Sequence, residues 1–132
     1  MIFIDSNIPM YLVGAAHSHK DDAQRILGKL IANRTRLVSS AEVLQEILHR
    51  YVALGRRDAI KPAFDALLGI VEEVYPIDQH DVERARNLLM SKSGLSARDA
   101  LHVAIMERHG IRQIVTFDAG FDEISSIRRI SS

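Results

Sequence analysis

The sequence has no cysteine and no tryptophan, and aromatic residues make up 5% of its 132 positions. Without thiols there is no disulfide framework, thiolate zinc site, iron–sulfur cluster or cysteine nucleophile, a pattern that fits a reducing compartment. So few aromatics give little support to base-stacking platforms of the single-strand-binding kind. Long apolar runs are missing as well. The longest stretch free of Asp, Glu, Lys and Arg is residues 6–19, and it contains Asn7, Pro9 and two histidines, so no segment approaches a membrane span. The opening Met1-Ile2-Phe3-Ile4-Asp5 lacks the basic and apolar regions of a signal peptide. A soluble, cytoplasmic protein without membrane association is the expectation. There is also no excess of either charge, because 17 basic residues cancel 17 acidic ones. Overall charge therefore neither announces nor forbids a nucleic-acid partner. The charges are nevertheless segregated: residues 25–61 hold eight Lys/Arg against three Asp/Glu, whereas residues 65–83 hold six acidic residues and no basic one. Solvated helix faces explain such runs most simply.

What is present fits one domain over residues 1–132, with a 47% hydrophobic content able to fill a single core. Ile2-Phe3-Ile4 is a short strand cut off by Asp5-Ser6-Asn7, a cluster that starts helices. Helical spacing follows over 20–33, a brief strand at Leu37-Val38, a helix over 41–54 closed by Gly55, and another over 58–70. Val74 to Ile77 reads as a third strand, leading at Asp78 into a helix that reaches Met90. Ser96 opens a helix ending near Gly110, Gln113 to Phe117 forms a fourth strand, and Ile127 to Ile130 a short last one. Strands alternating with helices, without hairpin signals, predict an α/β fold: a mainly parallel sheet of four to five short strands with helices on both faces. In such a sheet, ligands bind beyond the carboxyl ends of the strands where their order reverses.

Asp5 and Asp118 follow the first and fourth strands, and Glu46 and Asp99 lie in early helical turns. Each has a structural explanation. Asp5, Ser6 and Asn7 suit a helix cap, Asp118-Ala119-Gly120 an ordinary turn, and Ser39-Ser40-Ala41-Glu42 and Ser96-Ala97-Arg98-Asp99 have capping-box spacing. Two features point further. Residues 100–106 are apolar on nearly every side apart from His102, so Asp99 belongs to a buried helix where an ionised carboxylate needs compensation. Glu46, too deep in its helix to cap it, shares a face with Glu42 four residues earlier, and the two repel unless a cation intervenes. If Asp5, Glu46, Asp99 and Asp118 converge on one crevice, they stay ionised near neutral pH only beside divalent cations. All-oxygen ligands select hard ions, which favours Mg²⁺ with Mn²⁺ as a substitute, and such ions serve phosphoryl chemistry.

The blocks Ile2-Phe3-Ile4-Asp5-Ser6-Asn7, Val38-Ser39-Ser40 with Val43-Leu44-Gln45-Glu46, Leu95-Ser96-Ala97-Arg98-Asp99-Ala100 and Ile114-Val115-Thr116-Phe117-Asp118 occur in the order and spacing of PIN-domain nucleases. More narrowly, the chain resembles the VapC-type ribonuclease toxins of bacterial type II toxin–antitoxin systems. The resemblance implies a PIN-like fold, Mg²⁺-dependent endonucleolytic cleavage of RNA by metal-activated water leaving a 5′-phosphate and a 3′-hydroxyl, an antitoxin partner over the active-site groove, and a homodimer. It makes Asp5 and Asp99 metal ligands, Glu46 a ligand directly or through water, and Asp118 the fourth acid, a place Asp122 could share or take. Thr116, Ser6 and Asn7 support the site by hydrogen bonding and by shaping the first turn.

Other residues carry two readings. His102, three residues after Asp99, has the spacing to join it on a metal, although a lone helical histidine is more often structural. His17 and His19 precede a helix and are expected to face solvent. Arg50, one turn after Glu46, either pairs with it or reaches a phosphate, and Arg98 at a helix start is a second phosphate candidate. Arg34, Arg36, Arg56 and Arg57 form a possible RNA-steering surface. Tyr11-Leu12-Val13 with Leu67, Leu68 and Ile70 suits core packing better than a dimer or antitoxin surface. A haloacid-dehalogenase-type phosphatase would need an Asp where Asn7 stands, and a receiver domain a late-strand Lys that the Thr116 to Asp118 segment lacks. No Gly-rich phosphate loop follows the first strand. The remaining alternative is a catalytically inactive PIN-like module that binds RNA or protein.

Overall fold

A computed structural model describes residues 1–132. Its strands are β1 (Ile2–Ile4), β2 (Leu37–Ser40), β3 (Glu73–Tyr75), β4 (Gln113–Val115) and β5 (Arg128–Ile130). They form one parallel sheet in the order β3-β2-β1-β4-β5. Six α-helices connect them: α1 (Asn7–Val13), α2 (Ser18–Ala32), α3 (Ala41–Ala53), α4 (Ile60–Leu68), α5 (Gln79–Ser91) and α6 (Ala97–Arg108). The chain moves outward from β1 through β2 to β3, then crosses back to start again at β4 on the other side of β1. With right-handed crossovers, this reversal puts α1 to α4 on one face and α5 and α6 on the other. No helix is long and apolar enough to cross a membrane.

The central strands are apolar on both faces, as a sheet covered twice requires. Phe3, Ile4, Ile114 and Val115 are fully buried; Ile8, Ile47, Ala63 and Leu67 pack from the helices of one face, and Ala100, Val103, Ile105 and Met106 come from α6. Leu12, Val13 and Ile70 also pack against this core, while Leu68 remains exposed. The edge strands β3 and β5 have three residues each and carry Glu73, Arg128 and Arg129.

Several local expectations shift for identifiable reasons. The third strand stops at Tyr75 because Pro76 has no N–H for a ladder. The fourth stops at Val115 because the Phe117 N–H leaves the sheet to donate to Asn7 Oδ1 at 3.3 Å. The helix expected over 58–70 starts as a 3₁₀ turn at Arg57–Ala59 before continuing as α4. Ser40, and not Ser39, caps α3 by accepting from the Val43 N–H at 3.4 Å; the Ser39 hydroxyl donates across the sheet to the Ile4 carbonyl at 2.9 Å. The capping box expected between Ser39 and Glu42 therefore does not form. At α6 only half of the expected box exists: Ser96 Oγ accepts from the Asp99 N–H at 3.2 Å, leaving the Asp99 carboxylate for other partners. A complete box closes α5, where Asp78 and Asp81 each accept the other's backbone N–H.

Ile114 lies on a strand with neighbours on both sides and both faces. Ile114→Ala is expected to cost about 2–5 kcal/mol, read as a lower urea midpoint with an unchanged denaturant slope.

Candidate active site

Asp5 sits at the carboxyl end of β1 and Thr116 at that of β4, adjacent strands flanking the reversal in strand order. Thr116 ties the two together. Its buried hydroxyl donates to Asp5 Oδ2 at 2.7 Å and accepts from Asn7 Nδ2 and the Asp118 N–H, both at 3.0 Å. Asp5 accepts further bonds from the Ser6 N–H at 2.7 Å and Asn7 Nδ2 at 3.3 Å. Asp5, Ser6 and Asn7, which suited a simple cap, thus orient a buried carboxylate; Ser6 makes no side-chain cap to α1. The Ser6 hydroxyl instead donates to Glu46 Oε1.

Glu46 enters from α3. His102, fully buried on α6, places Nε2 3.6 Å from Asp5 Oδ1 and 3.7 Å from Glu46 Oε1. One ligand atom from each of Asp5, Glu46 and His102 lies within 4.8 Å of the other two. Asp99, also buried, faces Asp118 beside Gly120 and feels the charge of Asp5. Asp118 accepts the Gly120 N–H at 2.8 Å. The fold therefore gathers Asp5, Glu46, Asp99 and Asp118 at one sheet edge and adds His102 to them.

Asp122 is engaged otherwise: its exposed carboxylate is held by Arg129 through contacts of 3.1 Å. Arg98 supplies the cation between the two glutamates of α3, standing 3.9 Å from Glu42 and 3.8 Å from Glu46. Arg50 is exposed and pairs with no carboxylate, so of its two readings the contact with Glu46 is absent. Two members of the suggested steering surface are occupied, Arg36 by Glu72 and Glu73 and Arg56 by Asp58. His17 does face solvent, but His19 is half-buried, with its ring 4.1 Å from that of Phe117. The close approach of His102 to Asp5 and Glu46 was the element hardest to read from the chain; its only signal is the i, i+3 spacing from Asp99, which puts both on one helical face.

The electrostatics follow from this crowding. Burial raises the Asp5 pKa, with Glu46 adding to it, against the opposing pull of His102, Thr116 and the Ser6 N–H. Burial, the shared contact with Asp118 and the charges of Asp118 and Asp5 push Asp99 up to about 7. Burial also works against Glu46, but His102, Ser6 and Arg98 together hold it below its ordinary value. For His102, burial favours the neutral ring, yet the neighbouring Glu46, Asp5 and Asp99 outweigh it and raise its pKa.

A divalent cation fits these residues on observations independent of their acidity. Both ring nitrogens of His102 are buried without a hydrogen-bond partner, and Nε2 stands between two carboxylates. At Gly120 a Cβ would lie 3.1 Å from Asp118 Oδ1 and 3.5 Å from Asp99 Oδ2, so the absence of a side chain keeps open the space beside these acids.

Comparison with known proteins adds the following. Residues 2–127 match the PIN domain family. The chain is 58% identical over 131 residues to VapC ribonuclease Mb1869c of Mycobacterium bovis and to Ribonuclease VapC13 of Mycobacterium tuberculosis, covering 99% of this chain and all of each relative. Among solved structures, the sarcin–ricin-loop-cleaving toxin VapC20 of Mycobacterium tuberculosis superposes over the full length of both chains with a TM-score of 0.82 at 23% identity. VapBC2 of Rickettsia felis, bound to a DNA fragment from its promoter, gives 0.74 at 18% identity over 98% of each chain. These two structures establish the likeness of fold.

In chelator, Asp99→Asn is expected to melt above the unsubstituted protein at pH 8 and close to it near pH 4. The folded carboxyl keeps its proton up to about 7 and the unfolded one only to 3.8, so folding stability falls as pH rises between them. Asparagine, which cannot ionise, escapes that loss. A thermal melt across pH checks it.

Proposed function

The chain belongs to the PIN-domain family and, within it, to the VapC ribonucleases; from that premise we propose that it is a Mg²⁺-dependent endoribonuclease toxin of a toxin–antitoxin module. The observation that carries this reading is the convergence of Asp5, Glu46, Asp99 and Asp118 at one sheet edge with His102 among them. Asp5 and Asp99 would hold the cation, with Glu46 and Asp118 contributing directly or through water, and Mn²⁺ would serve as a substitute. A bound divalent ion supplies charge neutralisation for the acids, polarisation of the phosphodiester and a lowered pKa for the attacking water.

The chain's own residues do the rest. Thr116 and Asn7 hold Asp5 in one rotamer by hydrogen bonding, and Ser6 does the same for Glu46. Arg98 balances the paired glutamates of α3, while Arg50, exposed and without a carboxylate partner, is the candidate for a substrate phosphate. Hydrolysis proceeds by in-line attack of water and leaves a 5′-phosphate and a 3′-hydroxyl. In the same reading, a cognate antitoxin covers the acidic groove, and a homodimer forms. Leu48, Val52 and Leu54, exposed along the outer side and C-terminal end of α3, are apolar side chains open to such association. The inactive-module alternative draws no support from a site that keeps its mutually repelling acids.

The test is incubation of purified protein with total cellular RNA, with and without Mg²⁺ or Mn²⁺, followed by mapping of cut ends. Cleavage that needs the ion and leaves 5′-phosphates is expected. Asp5→Asn and Asp99→Asn are expected to fold and to lose at least about 100-fold in rate. Undiminished cleavage by either would contradict the assignment.

A further inference from the structure

Beside the acidic cluster the surface opens into a cavity of about 600 Å³, to which Asn7 and Asp118 are common. Asp118 is the one acid of the cluster that lines it. Rings line it as well: Tyr11 from α1, His17 and His19 at the start of α2, and Phe117 from the segment after β4. The His19 ring lies 4.1 Å from that of Phe117 and 5.0 Å from that of Tyr11. Tyr11 meets Phe117 edge-on at 5.5 Å, and His17 stacks on His19 at 5.1 Å with 13° between their planes.

The rings are held before any ligand arrives. His17 Nδ1 accepts the His19 N–H at 3.0 Å, capping α2 and fixing its own ring. The backbone of Phe117 is anchored by Asn7, the residue that also bonds Asp5. The loop Gly14-Ala15-Ala16, secured by Lys20 Nζ on the Gly14 carbonyl at 2.9 Å, adds small side chains to the lining of the cavity. Arg50, exposed and without a carboxylate partner, lines the same cavity as Asp118.

We propose that this cavity is a nucleobase subsite: an unpaired base next to the scissile phosphate stacks on the Phe117–His19–Tyr11 cluster while Arg50 takes the adjoining phosphate. The assignment rests on the ribonuclease reading above and adds the side chains that would receive a base free to leave its neighbours. A flat π-face recognises any base, so stacking alone selects for unpaired structure more than for sequence. The Phe117–Asp118 peptide bond ties the stacking surface directly to the acid site, so a seated base sets the register of the backbone past the carboxylates.

The experiment compares binding of the full chain, in EDTA so that nothing is cut, to short fluorescent single strands of uridine, of adenosine and of abasic ribose phosphate. Repulsion from the acidic cluster is the same for all three backbones, so a difference isolates the bases. Binding is expected to be roughly tenfold weaker without bases. Phe117→Leu and His19→Leu are expected to remove most of that difference and to keep the thermal shift given by Mn²⁺, which shows them folded with an intact acid site. Arg50→Gln is expected to weaken base-bearing and abasic strands alike. Equal affinity of the unsubstituted protein for strands with and without bases overturns the subsite, whatever the cleavage assay shows. A preference for bases in a protein that cuts no RNA leaves the subsite standing and removes the nuclease reading.

Discussion

Repulsion among carboxylates brought together at the meeting of β1 and β4 is the constraint around which the rest of the molecule is arranged. Four acids do not gather in a partly buried crevice unless something offsets their charge, and this chain supplies part of the offset itself. Thr116, Asn7 and the Ser6 N–H solvate Asp5, Ser6 and Arg98 steady Glu46, and His102 stands between the two. Asp99 and Asp118 receive less help, and Asp99 holds a proton to about pH 7.

The topology explains why such distant residues meet. Asp5 and Thr116 are 111 positions apart, yet pairing of Phe3 with Ile114 and Ile4 with Val115 brings their strand ends side by side. The helices complete the wall. Ser40 and Ser96 cap α3 and α6 at their starts, which puts Asp99 in the first turn of α6 and Glu46 in the second turn of α3, above the same sheet edge. Ser39, spared from capping, bonds β2 to β1 and stiffens the floor.

Much of this was legible in the chain. Apolar runs ended by Asp or Ser marked the strands, helical periodicity located the helices, and a carboxylate after a strand could be linked to a crevice because parallel sheets bind ligands there. What escaped was set by side-chain direction. Ser39 and Ser40 are equally good caps as letters, and only the strand's pleat turns one inward. His102 had the spacing to join Asp99, but nothing local shows that its ring reaches across to Asp5 and Glu46. Asp118 and Asp122 differ in the availability of Arg129, which lies on a strand that folds back beside them. The ring cluster was hidden because counts of aromatic residues omit histidine. Tyr11 and Phe117 become a surface only with His17 and His19 beside them.

Both margins of the sheet are brief and charged, with Glu73 on one and Arg128 and Arg129 on the other. A foreign strand would find only a few backbone groups to join and would meet ionised side chains on the way. Association with other molecules is thereby steered away from backbone extension and toward grooves and helix faces. A chain with so little free ladder can be crowded against copies of itself without growing into fibres.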